Sequence, residues 1–373
     1  MASLLANHFL RLSRYVRGMD WALLLAVFGL VLLGLAAIYS VELSQDAAEF
    51  VHVKKQIAAL ILGIGVFLFI VPSNYRLWQN YALVLYIACV ALLVGVLLFG
   101  STVRGSTGWY VMGPMSFQPV EFMKIALLVG LSSYFARRGK RVFDLRGFIE
   151  SGVLTLIPVG LVLLQPDFGS ASVLMGIWAF FLLYAGISWR YVASLAAGGI
   201  GLFFVAWNYL FADYQRSRIL TFLDPSIDPL GQGYNITQAI IAIGSGRWFG
   251  SGLGFGTQSQ LKFLPESQTD FIFAVVAEEL GFFGVMLLLT AFVLVFYRLF
   301  RQAGRVKDDF TCYLILGITA VFFLQFLVNV GMNLGLFPVT GIGLPFVSYG
   351  GSSLVTMLTL FAMAQSVAAQ NRG

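Results

Sequence analysis

Carboxylate side chains occur at the start of, and inside, an apolar segment of a chain that has few charges elsewhere. The stretch FLPESQTDFIFAVVAEELGF, residues 263–282, begins as a polar loop and becomes apolar, with Asp270 at the transition and Glu278 and Glu279 beyond it. The chain has two histidines and two cysteines, too scattered for a His-ligated metal, a thiolate site or a Ser-His triad. We therefore expect proton transfer to be carried out by carboxylates, with no protein metal site.

The composition is typical of a protein that crosses a membrane many times. Hydrophobic residues make up 59% of the 373 residues and charged residues only 11%, which excludes a water-soluble domain. The net charge of +6 arises from basic residues between apolar segments. Membrane topology explains that distribution, and no nucleic-acid partner is expected.

Apolar segments of about 20 residues, the length that crosses a bilayer as a helix, recur along the whole chain. Their approximate ranges are 21–40, 56–71, 80–100, 118–135, 148–165, 169–187, 191–211, 271–297, 310–333 and 351–369. This pattern predicts an all-α fold with about ten transmembrane helices, organised as one integral membrane domain over residues 1–373.

Clusters of Lys and Arg predict the direction of these helices. They lie in the N-terminal segment 1–20, after the fourth apolar segment and after the eighth, and the positive-inside rule places all three in the cytoplasm. Both termini are then cytoplasmic, while 41–55, 101–117, 334–350 and the large loop 212–270 are outside. The cytoplasmic loops contain no Gly-rich Lys-Ser/Thr motif, so ATP hydrolysis is not indicated.

Charged residues inside apolar segments gather on the outer side in this topology. Glu121 and Lys124 are three residues apart and can pair, and Asp167 and Asp270 lie at outer helix ends. Asp270 and Glu278 are eight residues apart in the eighth helix, about 80° around it, so Glu278 is expected to share the cavity of Asp270. These charges suit a functional site, but a structural ion pair explains Glu121 and Lys124 equally well, and a structural role is favoured for Glu279.

The two largest outer segments contain further candidate groups. Arg216 and Arg218 could bind a lipid phosphate, and Ile236, Ile240 and Ile243 fall on one face of a short helix suited to the headgroup plane. Residues 336–353 have many Gly, Pro and hydroxyl residues, Ser348 among them, which predicts irregular backbone lining a cavity.

Five long motifs resemble those of the SEDS family of bacterial cell-wall polymerases, in the family's order. They are FQPVEFMKIAL, QPDFGSA, YQRSRILTFLDPSIDPLGQGYNITQAIIAIGSG, GTQSQLKFLPESQTDFIFAVVAEELGFFG and PVTGIGLPFVSYGGSS. The segments GYNITQAIIAIGSG and GTQSQL favour the family's rod-shape branch, which acts in cell elongation, over its division branch. The likeness extends from the first apolar segment to the tenth.

The resemblance implies ten transmembrane helices and a peptidoglycan glycosyltransferase that polymerises lipid II at the outer face of the cytoplasmic membrane. It also implies a class B penicillin-binding protein as partner, docked on the eighth and ninth helices within the elongation machinery. The family's essential loop aspartate falls on Asp270. The residues that would bind substrate or pyrophosphate are Glu121, Lys124, Asp167, Arg216 and Arg218.

Some positions differ from the family pattern. Gly108 precedes Trp109 where the family commonly has Arg, which makes Arg104 the candidate substitute, and Gln268 replaces the usual His. Val120 and Gly343 replace Ser and Pro. Trp109, Ser348 and Glu278 are expected to support the site.

In the mechanism that these residues suggest, Asp270 is the general base and the cations meet the departing pyrophosphate. A divalent cation, Mg²⁺ or Mn²⁺, bridging the pyrophosphate to carboxylates is compatible with the sequence but not indicated by it. The alternatives are a flippase or transporter of lipid-linked precursors, a catalytically inert scaffold, and the division branch of the same family. A transporter would place polar residues through both membrane halves, whereas the cytoplasmic halves here are nearly free of charge.

Overall fold

The computed structural model describes residues 18–43, 50–103, 105–113, 115–139, 145–210, 216–217, 220–222, 224, 227–228 and 231–372. Within these residues the protein is a bundle of long helices, nine of which are long and apolar enough to cross a membrane. The predicted multi-pass all-α fold is therefore confirmed.

The long helices follow the predicted segments closely. In chain order the helices are α1 (Trp21–Glu42), α2 (Val51–Ile70), α3 (Tyr75–Phe99), α4 (Pro119–Arg138), α5 (Leu145–Leu163), α6 (Phe168–Ala185), α7 (Trp189–Val205), α8 (Gln232–Ser245), α9 (Thr257–Gln260), α10 (Ile272–Ala303), α11 (Asp309–Asn333) and α12 (Gly351–Arg372). The shorter helices α8 and α9 lie outside the ten predicted segments.

Helix α7 has 17 residues and continues as a five-residue π-helix, Ala206–Leu210. It is therefore not among the nine candidate spans, although its helical run reaches the length that a bilayer requires. Helix α10 is interrupted at Gly281, whose φ of 64° and ψ of −161° are accessible only to glycine.

A small antiparallel sheet occupies the segment between α3 and α4, which the predicted topology places outside and where the sequence predicted only a loop. Its strands are β1 (Ser101–Val103), β2 (Ser106–Met112) and β3 (Met115–Phe117), in the order β1-β2-β3. Ser106 Oγ donates to the carbonyl of Gln165 at 2.8 Å and Tyr110 Oη donates to that of Leu92 at 3.2 Å. These contacts hold the sheet against α3 and the α5–α6 turn.

Helices α4 and α12 form the centre of the bundle. In the most apolar 18-residue stretch of each helix, 78% of α4 and 89% of α12 are buried by the rest of the protein. The corresponding values are 17% for α2 and 28% for α3. A central helix surrounded by protein can hold polar groups that lipid would not tolerate. Glu121 and Lys124 on α4 are therefore shielded from lipid.

Polar contacts mark both ends of the bundle. At one end Arg298 forms an ion pair with Asp20 at 2.6 Å, and Gln365 Oε1 accepts the Asp20 N–H at 2.8 Å. At the opposite end, the outer end under the predicted topology, α1 finishes at Glu42 and α10 begins at Ile272.

Candidate active site

Asp270 lies just before the first turn of α10, and its side chain is half-buried. Its backbone N–H donates to the carbonyl of Glu266 at 3.1 Å. A methyl group placed on Gly341 would lie 3.9 Å from Asp270 Oδ2, so the carboxylate borders the loop between α11 and α12. Gly341 has a φ of +75°, which favours glycine there and lets the loop turn close to the carboxylate.

The backbone carbonyls of residues 268–270, which precede α10, all accept hydrogen bonds. Asn329 Nδ2 and Asn333 Nδ2 each donate to the Asp270 carbonyl at 3.0 Å. Ser348 Oγ donates to the Thr269 carbonyl at 2.6 Å, and the Tyr349 N–H donates to that of Gln268 at 2.8 Å. Irregular backbone at membrane depth requires such partners, and here they fix the position from which Asp270 projects.

The loop after α11 is fixed in turn by α2. Gln56 Nε2 donates to the Ser348 carbonyl, and Gln56 Oε1 accepts the Gly350 N–H, both at 3.1 Å. Ser348 Oγ also accepts the Leu344 N–H at 2.7 Å. A Cβ on Gly343 would lie 2.9 Å from Ser348 Cβ, so the small residue at this position permits the close packing of Ser348.

Glu121 and Lys124 form the predicted ion pair, with Lys124 Nζ 2.7 Å from Glu121 Oε1. Both side chains are buried, at 6% and 3% exposure. Glu121 Oε2 is also buried and has no hydrogen-bond partner among the described residues. The pair thus neutralises its charges but leaves one carboxylate oxygen able to accept a further hydrogen bond.

Asp167 caps the N-terminus of α6. Its Oδ1 accepts the Ser170 N–H at 2.9 Å and its Oδ2 accepts Ser170 Oγ at 2.7 Å. Gln118 Nε2, from the residue preceding α4, donates to the same Oδ2 at 3.4 Å. Asp167 therefore has a structural role as a helix cap and lies beside the start of the helix that carries Glu121 and Lys124.

The loop between α11 and α12 connects these carboxylates. A Cβ on Gly169 would overlap the Thr340 carbonyl oxygen, so the α6 N-terminus packs directly on this loop next to Gly341. Ser352 Oγ, at the start of α12, accepts the Gln118 N–H at 3.3 Å. Asp167, the α4 pair and Asp270 are thus gathered at one end of the bundle, as the sequence predicted.

Glu278 is held by contacts with the short helix α9. Helix α10 begins at Ile272, so Asp270 is outside it and the angle calculated for a continuous helix does not apply. The buried Glu278 carboxylate accepts the N–H groups of Gln258 at 2.7 Å and Ser259 at 3.1 Å, which caps α9. Glu279, for which a structural role was expected, accepts Ser40 Oγ at 2.7 Å and Ser259 Oγ at 3.2 Å.

The candidate cations are only partly described. Arg216 is half-buried, and its Nη2 donates to the Asn208 carbonyl at 3.4 Å. Arg218 and Arg104 lie outside the described residues. Trp109 pairs with Ser101 in the sheet, and a Cβ on Gly108 would lie 3.2 Å from Gln165 Oε1. A side chain at position 108 would therefore extend from the sheet toward the QPD turn.

The predicted interfacial helix corresponds to α8, but its three isoleucines do not share one environment. Ile236 is buried, at 4% exposure, whereas Ile240 is 49% exposed. Ala239 and Ala242 complete the buried face, because they lie three and six residues after Ile236. The helix packs this face against α10 and α11.

Two residues that position Asp270 were not singled out from the sequence, namely Asn329 and Asn333. Together with Gln325 they are spaced four residues apart in an otherwise apolar segment, so they form one polar stripe on α11. That stripe is the signal that could have identified them. Among the described residues, no group of three or more His, Cys, Asp and Glu side chains could hold a metal ion.

The model of the cell cycle protein family that includes FtsW, RodA and SpoVE matches residues 19–373. The chain belongs to this family. The match covers every described transmembrane helix and agrees with the resemblance to SEDS proteins that the five motifs indicated.

Curated relatives from both branches of the family are similar over nearly the whole chain. The peptidoglycan glycosyltransferase MrdB of Escherichia coli K12 is 37% identical over 350 residues, which cover 94% of this chain and 93% of the relative. The probable peptidoglycan glycosyltransferase FtsW of Thiomicrospira cyclica is 36% identical over 374 residues, which cover 96% and 93%.

Solved structures share the fold. The rod shape determining protein RodA of Thermus thermophilus is 30% identical and superposes with a TM-score of 0.71 over 95% of this chain and 98% of its own. A chain from a peptidoglycan synthase complex, described as coordinating polymerization and crosslinking, is 33% identical and superposes with a TM-score of 0.81 over 95% and 98%.

Proposed function

We propose that this multi-pass membrane protein is a peptidoglycan glycosyltransferase that polymerises lipid II during cell elongation and shape maintenance. The observation that carries the proposal is the placement of Asp270. Its backbone is fixed by Asn329, Asn333 and the loop after α11, and it lies at the same end of the bundle as the Glu121–Lys124 pair. The family relationship and the named activity of MrdB support this reading.

In the proposed reaction, a sugar 4-hydroxyl attacks the anomeric carbon of a second, lipid-linked sugar. Asp270 accepts the hydroxyl proton as the new C–O bond forms, and the bond from the anomeric carbon to the undecaprenyl pyrophosphate breaks with inversion. An aspartate is a weak base, so it must be held against the hydroxyl for the transfer to be efficient. The hydrogen bonds to the carbonyls of residues 268–270 supply that positioning.

The departing pyrophosphate gains negative charge, which cations stabilise. Lys124, Arg216 and Arg218 are the proposed protein groups, and Arg104 is the proposed substitute for the family's arginine before Trp109. The ion pair with Glu121 holds Lys124 in its buried position. Asp167 supports the site by fixing α6 beside α4, and a divalent cation would bind through the pyrophosphate itself.

The orientation and partner follow from the same reading. We place the site at the outer face of the bacterial cytoplasmic membrane, where lipid II carries its sugars into water while its tail remains in lipid. A class B penicillin-binding protein would dock its helix on α10 and α11. Large apolar side chains on these helices are exposed, including Leu287 at 64% and Phe323 at 42%.

Polymerisation of fluorescent lipid II by the purified protein tests the proposal, alone and with the penicillin-binding partner. Glycan strands that separate as a ladder are the expected product. Movement of lipid II across sealed vesicles without any polymer would contradict the proposal and favour the transporter.

A further inference from the structure

A pocket of about 290 Å³ opens beside the segment that leads into Asp270. The first wall comes from the end of α1, the start of α2 and Tyr349. The second wall comes from α9 and the loop that joins it to α10. The residues used below are His52, Tyr349, Lys262, Glu266, Gln268 and Thr269. None of them was assigned a role by the sequence motifs, apart from Gln268 as a departure from the family's His.

His52 is held in a fixed orientation on the first wall. Glu42 Oε1 accepts hydrogen bonds from the His52 backbone N–H and from Nδ1, both at 2.7 Å, and Glu42 itself is 1% exposed. The ring meets Tyr349 edge to face with 4.7 Å between the centroids. Nδ1 is bound to the carboxylate, and the His52 side chain, which is 39% exposed, lines the pocket.

The second wall is connected to Asp270 through the backbone. Lys262 and Glu266 have φ values of 58° and 52°, a left-handed conformation that is uncommon for side chains of this size. The Glu266 carbonyl accepts the N–H groups of Thr269 and Asp270, both at 3.1 Å. Strained backbone of this kind concentrates at ligand sites. A ligand against Glu266 would therefore contact the residue that fixes the Asp270 backbone.

The lining indicates a neutral, polar ligand. The charges of Lys262 and Glu266 balance, which disfavours an isolated phosphate or cation, and the groups from Gln268, Thr269 and His52 can donate and accept hydrogen bonds. The volume is at the lower end of the range for ligand pockets, about 300–1,000 Å³. It therefore suits a single ring with polar substituents rather than a lipid tail.

We infer that this pocket is a saccharide subsite that binds one sugar ring of the glycan next to the ring that reacts at Asp270. Successive Cα atoms are about 3.8 Å apart, so the pocket wall at Thr269 lies within about one sugar ring of Asp270. The substrate groups nearest to the reacting bond are sugars, which favours a saccharide over the stem peptide. This inference rests on the proposed function.

Kinetics of lipid II polymerisation test the subsite with three variants of the full chain in complex with its partner. His52→Ala and Lys262→Ala remove pocket groups, and Lys54→Ala removes an exposed side chain of the same helix outside the pocket. We expect the first two to raise KM about tenfold with kcat changed less than about threefold, and to shorten the strands. Lys54→Ala should match the wild type. If His52→Ala fails to fold, His52→Phe keeps the ring against Tyr349.

Wild-type KM and strand length in both pocket variants would overturn the inference. A KM defect that disappears with lipid II lacking most of its stem peptide would also overturn it, because the pocket would then bind peptide.

A separate measurement tests sugar binding directly. Saturation-transfer NMR detects the binding of an N-acetylglucosamine tetrasaccharide to the Asp270→Asn protein. The saturation-transfer signal of the tetrasaccharide should be at least about fivefold weaker in the double variant that carries Asp270→Asn and His52→Ala. If the wild type does not polymerise lipid II, the proposed function fails, and the tetrasaccharide signal still decides the subsite.

Discussion

Asn333 forms hydrogen bonds both to Asp270 and to Ala274 in the first turn of α10. Its Nδ2 donates to the Asp270 carbonyl at 3.0 Å, and its Oδ1 accepts the Ala274 N–H at 3.2 Å. The first N–H groups of a helix have no partner within the helix, so Asn333 satisfies one of them while fixing Asp270. One fully buried amide on α11 therefore holds the segment that carries Asp270 against the start of α10.

Asn333→Ala should lower both stability and turnover. The substitution leaves the Ala274 N–H without its partner and removes one of two donors to the Asp270 carbonyl, at a cost of about 1–3 kcal/mol. Thermal unfolding in detergent and lipid II turnover measure the two effects. Asn371→Ala, which alters an exposed amide near the C-terminus, is the control and should change neither. Wild-type turnover in Asn333→Ala would show that Asp270 does not depend on this contact.

The Glu121–Lys124 pair offers a way to separate structure from chemistry. Lys124→Met alone leaves a buried carboxylate without its cation and should destabilise the protein by about 3–5 kcal/mol. Adding Glu121→Gln removes the uncompensated charge and should restore most of that stability. If the pair contacts substrate, the double variant folds but remains inactive in lipid II polymerisation. Recovery of activity along with stability would assign the pair a structural role only.

Glu278→Gln should mainly affect folding. The carboxylate accepts two backbone N–H groups with its two oxygens, whereas a glutamine amide has a single acceptor oxygen. The loss of one buried acceptor predicts a cost of about 1–3 kcal/mol. We expect a lower unfolding temperature with kcat of the folded fraction within about threefold of wild type. A collapse of kcat without loss of stability would instead place Glu278 in the chemistry.

Gly281→Ala should prevent stable folding. The φ and ψ of Gly281 cost a residue with a side chain about 1–3 kcal/mol in strain alone, and the added Cβ would overlap the Gly250 backbone nitrogen. Gly65→Ala is the matched control, because nothing lies within 4 Å of its Cβ position inside α2. Since Ala is a better helix former than Gly, that variant should be neutral or slightly stabilised. Expression and unfolding temperature report both outcomes.

The sequence predicted the spans because a bilayer imposes a length of about 20 apolar residues, which can be read directly from composition. It also predicted that Asp167, Asp270 and the α4 pair would lie at the same end of the bundle, since alternating helix directions place their ends on one side. It did not predict the sheet at 101–117, where three short strands depend on contacts with α3 and the α5–α6 turn. Such contacts are absent from local patterns.

The roles of individual carboxylates were harder to predict. The prediction that Glu278 shares a helical face with Asp270 required the helix to begin at or before residue 270. The helix begins at Ile272, because local sequence patterns define helix ends less precisely than helix interiors. The cap that Glu278 provides for α9 joins segments about 20 residues apart. The His52 pocket likewise combines α2, residue 349 and the loop before α10, which only the folded chain brings together.

Lipid II polymerisation by Asp270→Asn and by wild type, both in complex with the penicillin-binding partner, tests the role of Asp270 as the general base. Asparagine keeps the size of the side chain and the backbone hydrogen bonds to Asn329 and Asn333, but it cannot accept the hydroxyl proton as a carboxylate does. We expect an unfolding temperature close to wild type and at least about a hundredfold loss of turnover. Wild-type turnover in a folded Asp270→Asn protein would contradict the assignment of Asp270 as the base.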